Sequence, residues 1–140
     1  MNNSEISLPR KLTNQLLHLA QLSPDTEICG LIGADNAGLP VSCYPVANCA
    51  ATPENRFLLD ASQQIEAMRQ IREKGETLFA IYHSHPHTPA QPSPTDIQEA
   101  SYPDALHLII SLNTKGVLEM RGFKIAGQSV EELGLSLIEI

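Results

Sequence analysis

The feature that most constrains the fold is an apolar run at residues 78–82 that continues directly into His83 and His85. A short apolar run of this length predicts a buried β-strand. Because successive side chains of a strand point to opposite faces, Phe79 and Ile81 are expected to share one face with both histidines. Two imidazoles on one face at the end of a strand can bind a single metal ion.

A proline-rich loop follows and leads to Ser93, Pro94 and Asp96. Ser at the N-cap, Pro at the first helical position and an acidic residue at the third predict the start of a helix. Capping alone would explain Ser93 and Asp96. The alternative is that Asp96 joins His83 and His85 as a metal ligand. The two interpretations are compatible, because a cap holds the backbone from which Asp96 would reach the metal. Two His, one carboxylate and an open position are typical of catalytic zinc.

Glu27 is a third polar feature, since it leads into the otherwise apolar segment at residues 28–33. A buried carboxylate is costly unless it has a partner, and a metal-bound water would supply one. The alternative is that Glu27 lies at an exposed strand end, just after Pro24, and faces water.

Taken together, Glu27, His83, His85, Ser93 and Asp96 form a spaced pattern: His-x-His, seven residues, Ser, two residues, Asp. This pattern resembles the signature of the JAMM (MPN-plus) metallopeptidases, and the similarity runs from about residue 10 to about residue 125. The flanking residues that also match the family are Pro24, Cys29, Gly30, Leu31, Gly33, Asn48, Arg56, Phe57, Ser84 and Pro86. His87 is an additional histidine that the motif does not require.

The resemblance implies a cytidine-deaminase-like JAMM/MPN fold and one Zn²⁺ ion per chain, bound by His83, His85 and Asp96. Glu27 would be the general base and acid, and Ser93 would donate to the oxyanion. Two His and one Asp also suit iron or manganese. Ser84, on the opposite strand face from the histidines, is expected to make a structural hydrogen bond.

The resemblance also implies a substrate. JAMM enzymes hydrolyse a peptide or isopeptide bond after the C-terminal Gly-Gly of a ubiquitin-like protein. A short prokaryotic member would act on sulfur-carrier proteins with a ubiquitin-like fold. An extended Gly-Gly tail can enter a narrow cleft and pair with a strand edge. By positional analogy, residues 47–59 are expected to form one wall of that cleft.

Three other functions fit the sequence less well. A non-catalytic MPN interaction module is disfavoured because all five positions are intact. A zinc nucleoside deaminase would need His-x-Glu followed by Pro-Cys-x-x-Cys, and neither motif is present. Passive metal binding by the histidine-rich loop leaves Glu27 without a role.

Composition limits the classes of partner. The chain has 140 residues, 42% hydrophobic and 18% charged, which fits one ordinary globular domain spanning residues 1–140. The net charge of −7 argues against nucleic acid, which requires a basic surface.

Cys29, Cys43 and Cys49 are an odd number with no CxxC pair, which favours reduced thiols in a cytoplasmic protein. Cys29, within an apolar strand, is expected to be buried. The sequence shows no signal peptide and no apolar run near the roughly 20 residues of a membrane span.

The remaining patterns predict an α/β domain with a mixed sheet flanked by helices. The predicted helices cover residues 9–22, 60–74 and 94–101. The first has an apolar stripe formed by Leu12, Leu16, Leu19 and Ala20. The second is capped by Asp60 and Gln63, and its apolar face consists of Ala61, Ile65, Met68 and Ile71. The predicted strands cover residues 27–34, 41–46, 56–59, 78–85, 106–112 and 117–125, with turns at 35–38 and 113–116. Residues 130–140 fit a strand or a short helix equally well.

Overall fold

The computed structural model describes residues 5–113 and 117–139. Within these ranges the chain forms strands and helices in the order β1(Glu5–Pro9), α1(Arg10–Gln21), β2(Cys29–Ala34), β3(Pro40–Val46), α2(Ala61–Glu73), β4(Thr77–His85), α3(Pro94–Glu99), β5(Leu106–Ser111), β6(Glu119–Ala126) and β7(Ser129–Ile138). The predicted class, a mixed sheet flanked by helices, is confirmed.

The strands form one sheet in the order β1-β7-β6-β5-β4-β2-β3. The pairs β4/β5 and β1/β7 are parallel and the other neighbours are antiparallel. The parallel strands β4 and β5 are joined through α3, so both strands end at the same edge of the sheet. His85 and Ser111, the last residues of these strands, lie opposite each other at that edge.

Each face of the sheet carries its own apolar core. Helix α1 packs on one face, where Leu12, Leu16 and Ala20 join Tyr82 and Leu108 in a continuous buried cluster. Most of its predicted stripe is therefore confirmed, although Leu19 is only half-buried. Helix α2 packs on the opposite face in a second cluster. The histidine side chains belong to this second face because β4 alternates.

The predicted apolar face of α2 is wrong in part. Ile71 is buried, but Ile65 is 71% exposed and Ala67 is buried instead. Asp60 caps the helix as predicted by accepting from the backbone N–H of Gln63. The Gln63 side chain does not complete the capping box. Its Oε1 instead accepts from the backbone N–H of Ala47 at 2.8 Å.

The alternation predicted for β4 is also interrupted. Ile32 of β2 pairs with Ala80, whereas the next residue, Gly33, pairs with Leu78. Phe79 is therefore the extra residue of a β-bulge, and it packs with the α1-side cluster rather than with Ile81. From Ile81 onward the alternation holds, so the predicted shared face of Ile81, His83 and His85 is observed.

The strand predicted at residues 56–59 does not form. This segment makes a single bridge between Asn48 and Leu59. The Asn48 side chain accepts from the backbone N–H groups of Ala50 and Leu58 and donates to the carbonyls of Glu27 and Arg56. Two backbone bonds accompany the bridge, from the Cys49 N–H to the Leu58 carbonyl and from the Asp60 N–H to the Ala47 carbonyl. The Asn48 side chain supplies the remaining bonds to this segment, so no regular strand is extended beyond it.

The remaining boundaries differ by a few residues. The strand β1 was not predicted, and its partner β7 shows that residues 130–138 adopt the strand alternative. The helix α3 ends at Glu99, and Tyr102 adopts a positive φ of 59°. The predicted turn at residues 113–116 lies largely outside the described residues.

Candidate metal centre

The end of β4 positions the two histidines. His83 and His85 are 1% and 3% exposed, and both rings lie on the α2 face of the sheet. The Nδ1–H of His85 donates to the carbonyl of Pro89 at 2.8 Å. Because a carbonyl can only accept, this bond leaves the Nε2 of neutral His85 with a free lone pair. The ring of His83 is held by Phe57, which stacks on it with centroids 4.2 Å apart.

Asp96 approaches the histidines from the first turn of α3. Its Oδ2 lies 3.1 Å from His83 Nε2 and 3.1 Å from His85 Nε2, and the two Nε2 atoms are 3.1 Å apart. The three atoms therefore form an equilateral triangle of two imidazole nitrogens and one carboxylate oxygen. Burial opposes ionisation of Asp96, but its contacts with His83 and His85 prevail and hold its pKa well below the usual range.

The helix cap at α3 holds Asp96 in place. Ser93 Oγ accepts from the backbone N–H of Asp96 at 3.0 Å, and Asp96 Oδ2 accepts from the backbone N–H of Ser93 at 2.9 Å. This is the reciprocal capping box, so the capping interpretation of both residues is correct. The same oxygen, Oδ2, also faces both histidines. Because Ser93 Oγ acts as an acceptor in the cap, its hydroxyl hydrogen is free to donate elsewhere.

Glu27 lies beside this triangle. It is 5% exposed, and its Oε1 has no hydrogen-bond partner among the described residues. The alternative that it faces water from a strand end is therefore wrong. Its backbone is fixed by bonds to Pro53 and Asn48. Burial raises the pKa of Glu27 to about 7, against a smaller lowering contribution from His85.

These residues fit a metal ion. One carboxylate oxygen of Glu27 and one nitrogen each of His83 and His85 lie within 4.8 Å of one another, a cluster that could hold a metal. Tetrahedral zinc with ligands at about 2.0–2.1 Å separates its donor atoms by about 3.3 Å. The 3.1 Å triangle of His83, His85 and Asp96 matches one face of such a tetrahedron. Hydrogen bonds alone explain the triangle less well than a metal does. A ring N–H can point along only one side of the triangle, so it cannot account for all three short distances.

Ser84, Cys29 and His87 were also named in the sequence analysis, and the structure places each of them. Ser84 Oγ accepts from the backbone N–H of Ile28 at 2.9 Å, and the Ser84 N–H donates to the Ile28 carbonyl at 3.1 Å. These two bonds join β4, which carries the histidines, to the residue after Glu27. The predicted structural hydrogen bond of Ser84 is therefore confirmed. Cys29 is buried as expected. His87 is exposed on the loop after β4.

The sequence interpretation missed two residues beside the centre. Phe57 was noted only as a family match, although its ring covers His83. His107 of β5 was not singled out. It is 5% exposed, its Nε2 has no partner among the described residues, and burial lowers its pKa to about 4. A histidine inside the apolar strand at residues 106–111 was the available signal.

Comparison with known proteins assigns the chain to a family. Residues 9–123 match the family described as prokaryotic homologs of the JAB domain. The chain belongs to this family. It is 29% identical to a desampylase from Haloferax volcanii, over 98% of this chain and 99% of the relative. It is 30% identical to a CysO-cysteine peptidase from Mycobacterium tuberculosis, over 91% of this chain and 88% of the relative.

Solved structures agree on the fold. The solution structure of a Desulfitobacterium hafniense protein superposes with a TM-score of 0.85 and 31% identity, covering 96% of this chain and 93% of the other. A JAB1/MPN domain protein from Archaeoglobus fulgidus superposes with a TM-score of 0.60 at 18% identity, covering 98% and 100% of the two chains. The JAMM/MPN fold expected from the sequence is thus confirmed.

In the described part of the chain, no helix combines the length and the apolar character needed to cross a bilayer.

Proposed function

We propose that this protein is a zinc-dependent hydrolase that cleaves the peptide or isopeptide bond after the C-terminal Gly-Gly of a ubiquitin-like sulfur-carrier protein. One observation carries the proposal: three donor atoms lie 3.1 Å from one another beside the buried Glu27, whose Oε1 has no partner among the described residues. The similarity to a desampylase and to a CysO-cysteine peptidase supports both the hydrolytic activity and the class of substrate.

The metal ligands in this proposal are His83, His85 and Asp96, rather than Glu27. Asp96 Oδ2 is 3.1 Å from each imidazole nitrogen, close to the edge of a tetrahedral shell. One carboxylate oxygen of Glu27 lies within 4.8 Å of one nitrogen of each histidine, and its Oε1 has no hydrogen-bond partner among the described residues. Zinc held there would lower the pKa of a bound water towards about 7 and polarise a carbonyl.

Glu27 is the proposed general base and acid. It would accept a proton from the attacking water and deliver it to the leaving amine. Its burial suits this exchange, because a carboxyl group with a pKa of about 7 can both accept and release a proton near neutrality. Its backbone N–H donates to the Pro53 carbonyl, and its carbonyl accepts from the Asn48 side chain, so the backbone that carries the carboxylate is held on both sides.

Ser93 is the proposed oxyanion donor. Its Oγ is placed by the capping box, and its hydroxyl hydrogen is not used by that box. A neutral donor beside the reacting carbonyl stabilises the charge that develops on the carbonyl oxygen.

The proposal also covers the domain organisation and the cellular location of the protein. We propose that residues 1–140 act as a single JAMM/MPN domain, supported by the one continuous sheet of the described residues. We also propose a cytoplasmic location, supported by three free cysteines: one buried, one half-buried and one exposed.

The first test is metal content, because it does not require the substrate. Protein purified without an affinity metal column is analysed for zinc, iron and manganese, beside His83→Ala and the matched control His87→Ala. We expect close to one zinc per chain in the wild type and in His87→Ala, and a loss of metal in His83→Ala. No metal in any sample after zinc addition would contradict the proposal and favour a non-catalytic interaction module.

A further inference from the structure

Two buried ring nitrogens near the candidate metal centre have no hydrogen-bond partner among the described residues: Nδ1 of His83 and Nε2 of His107. The two residues are 1% and 5% exposed, so neither nitrogen is open to bulk solvent. Buried polar atoms of folded proteins are almost always hydrogen-bonded, either to the protein or to ordered water. Two such nitrogens beside one site therefore require a physical explanation.

The two rings lie on the same face of the sheet. In the parallel pair of β4 and β5, His83 lies opposite Ile109 and His107 lies opposite Ile81. Because side chains two residues apart on a strand point to the same face, His83 and His107 are diagonal neighbours on the face of the metal centre. Both residues also line one cavity of about 240 Å³.

A metal ion at His83 would fix which of its ring nitrogens carries the proton. The Nε2 atom faces Asp96 Oδ2 and His85 Nε2 at 3.1 Å, so this nitrogen would give its lone pair to the metal. In a neutral imidazole the proton then lies on Nδ1, which becomes a donor. Metal-binding histidines almost always donate this N–H to a carboxylate, a carbonyl or a water. The Nδ1–H of His85 donates to the Pro89 carbonyl, whereas His83 has no such partner among the described residues.

The unpartnered nitrogen of His107 can act as the acceptor for that N–H. Burial lowers the pKa of His107 to about 4, so its ring is neutral near pH 7 and has one free lone pair. The cavity shared by the two rings is far larger than the roughly 30 Å³ that one water occupies. A water between them would accept from His83 Nδ1–H and donate one hydrogen to His107 Nε2. Its second hydrogen would bond to further water in the cavity.

The other polar side chains that line the cavity outside the metal centre are poorer acceptors for His83. Glu99 is held in an ion pair on the protein surface. Gln64 is held through its Nε2, which donates to the hydroxyl of Tyr102 at 2.7 Å. Ser101 is exposed to solvent. Among these lining residues, His107 alone is both buried and without a partner for a ring nitrogen.

We infer that His107 is a positioning residue for the metal ligand His83, and that its Nε2 accepts the hydrogen bond of His83 Nδ1–H through one buried water. The inference rests on the proposed metal site. A metal at Nε2 and a hydrogen bond at Nδ1 together fix the tautomer and the rotation of the His83 ring. Phe57 stacks on the face of that ring and leaves both nitrogens available at its edge.

The direct test is the protonation of the two rings, measured by NMR on zinc-loaded wild-type protein with ¹⁵N-labelled histidine. We expect His83 to carry its proton on Nδ1 and to show a cross-peak between that proton and a bound water. We expect His107 Nε2 to be unprotonated and not bound to zinc. A proton on His107 Nε2, a zinc bond to that nitrogen, or the lack of the water cross-peak would overturn the inference.

Zinc affinity of two His107 variants tests the same contact independently. His107→Phe removes the acceptor but keeps a ring, whereas His107→Gln keeps an acceptor near the position of Nε2. Affinity is measured by competition with a chelator. We expect His107→Phe to weaken zinc binding by about 10–100-fold and His107→Gln to remain close to the wild type. The control is His18→Phe, because His18 is exposed on α1 at the opposite face of the sheet, and its affinity should be unchanged.

A purely structural role of His107 would give a different pattern. In the metal-free protein, His107→Phe replaces an unpartnered polar atom by an apolar ring, so its Tm should equal or exceed that of the wild type. Zinc affinity should fall nevertheless. Unchanged affinity in His107→Phe, or a loss that His107→Gln shares, would overturn the inference. If His107→Phe does not fold, His107→Gln and the NMR measurement on the wild type decide.

Failure of this inference can be distinguished from failure of the proposed function. If the wild type binds zinc and cleaves a ubiquitin-like carrier but His107→Phe binds zinc equally well, the function stands and the inference fails. If the wild type binds zinc, the variants follow the expected order and no carrier is cleaved, the proposed hydrolysis fails while the role of His107 stands. A wild type that binds no zinc overturns both.

Discussion

At the scale of single residues, Asp96 shows how one atom can serve both the fold and the site. Its Oδ2 accepts from the Ser93 N–H, which completes a helix cap, and the same oxygen faces both histidines. A sequence pattern alone does not distinguish the two roles. In the structure the cap holds Asp96 Oδ2 at 3.1 Å from the Nε2 atom of each histidine.

Glu27→Gln tests the proposed base at this scale. The amide has almost the same shape as the carboxylate but cannot exchange a proton at neutral pH, so we expect hydrolysis to fall by about 10²–10⁴-fold. Metal content and Tm should change little, because among the described residues Glu27 Oε1 has no hydrogen-bond partner that the amide would lose. Turnover is measured together with metal content.

Glu131→Gln is the matched control for that experiment. It removes the same charge from an exposed position of β7 and should leave the rate unchanged. Normal turnover by Glu27→Gln would show that Glu27 does not transfer the proton.

At the scale of elements, the centre depends on three ends that meet at one edge of the sheet. The end of β4 carries the histidines, the start of α3 carries Asp96, and the approach to β2 carries Glu27. Ser84 links two of these elements through its paired bonds with Ile28. The bulge at Phe79 lies upstream of His83, so it alters the packing of β4 without changing the face of the histidines.

Ser93→Ala tests the role of the cap at this scale. Loss of the N-cap side chain should lower the free energy of unfolding by about 1 kcal/mol. If Ser93 also donates to the oxyanion, kcat should fall by about 10²–10³-fold. Denaturant unfolding and initial rates are measured on the same preparations, with metal content checked.

Asp60→Ala provides the comparison for Ser93→Ala. Asp60 caps α2 through its bond from the Gln63 N–H, so its loss should cost a similar free energy of unfolding. We expect the rate of Asp60→Ala to be normal. A Ser93→Ala enzyme that is destabilised but equally fast would limit Ser93 to the cap.

At the scale of the whole molecule, the core under α1 and the candidate metal centre lie on opposite faces of the sheet. Leu16 and Tyr82 belong to the cluster under α1, whereas His83 and its neighbours lie on the opposite face. Substitutions under α1 should therefore change the stability of the fold with little effect on the geometry of the site.

Leu16→Ala tests this separation. Leu16 is fully buried, so we expect a loss of about 2–5 kcal/mol in the free energy of unfolding, with metal content unchanged in the folded protein. Ile65→Ala is the comparison, because the structure leaves Ile65 largely exposed, and it should cost less than about 0.5 kcal/mol. Equal losses in the two variants would mean that α2 buries the face predicted from the sequence.

What the sequence determined by itself was local. Alternation along β4 put His83 and His85 on one face, the Ser-Pro-x-Asp pattern started α3, and the apolar run at residues 106–111 formed a buried strand. Each of these follows from neighbouring residues. The spacing of Glu27, His83, His85, Ser93 and Asp96 also named the five residues that the fold brings together.

Only the tertiary structure decided the rest, because it depends on contacts between distant segments. The strand β1 forms through its pairing with β7 at the other end of the chain. Gln63 of α2 bonds to Ala47, and Asn48 bonds to Leu58 in the segment at residues 56–59, so both segments are joined to a distant part of the chain. The stacking of Phe57 on His83, and the cavity that joins both to His107, arise where three such segments pack together.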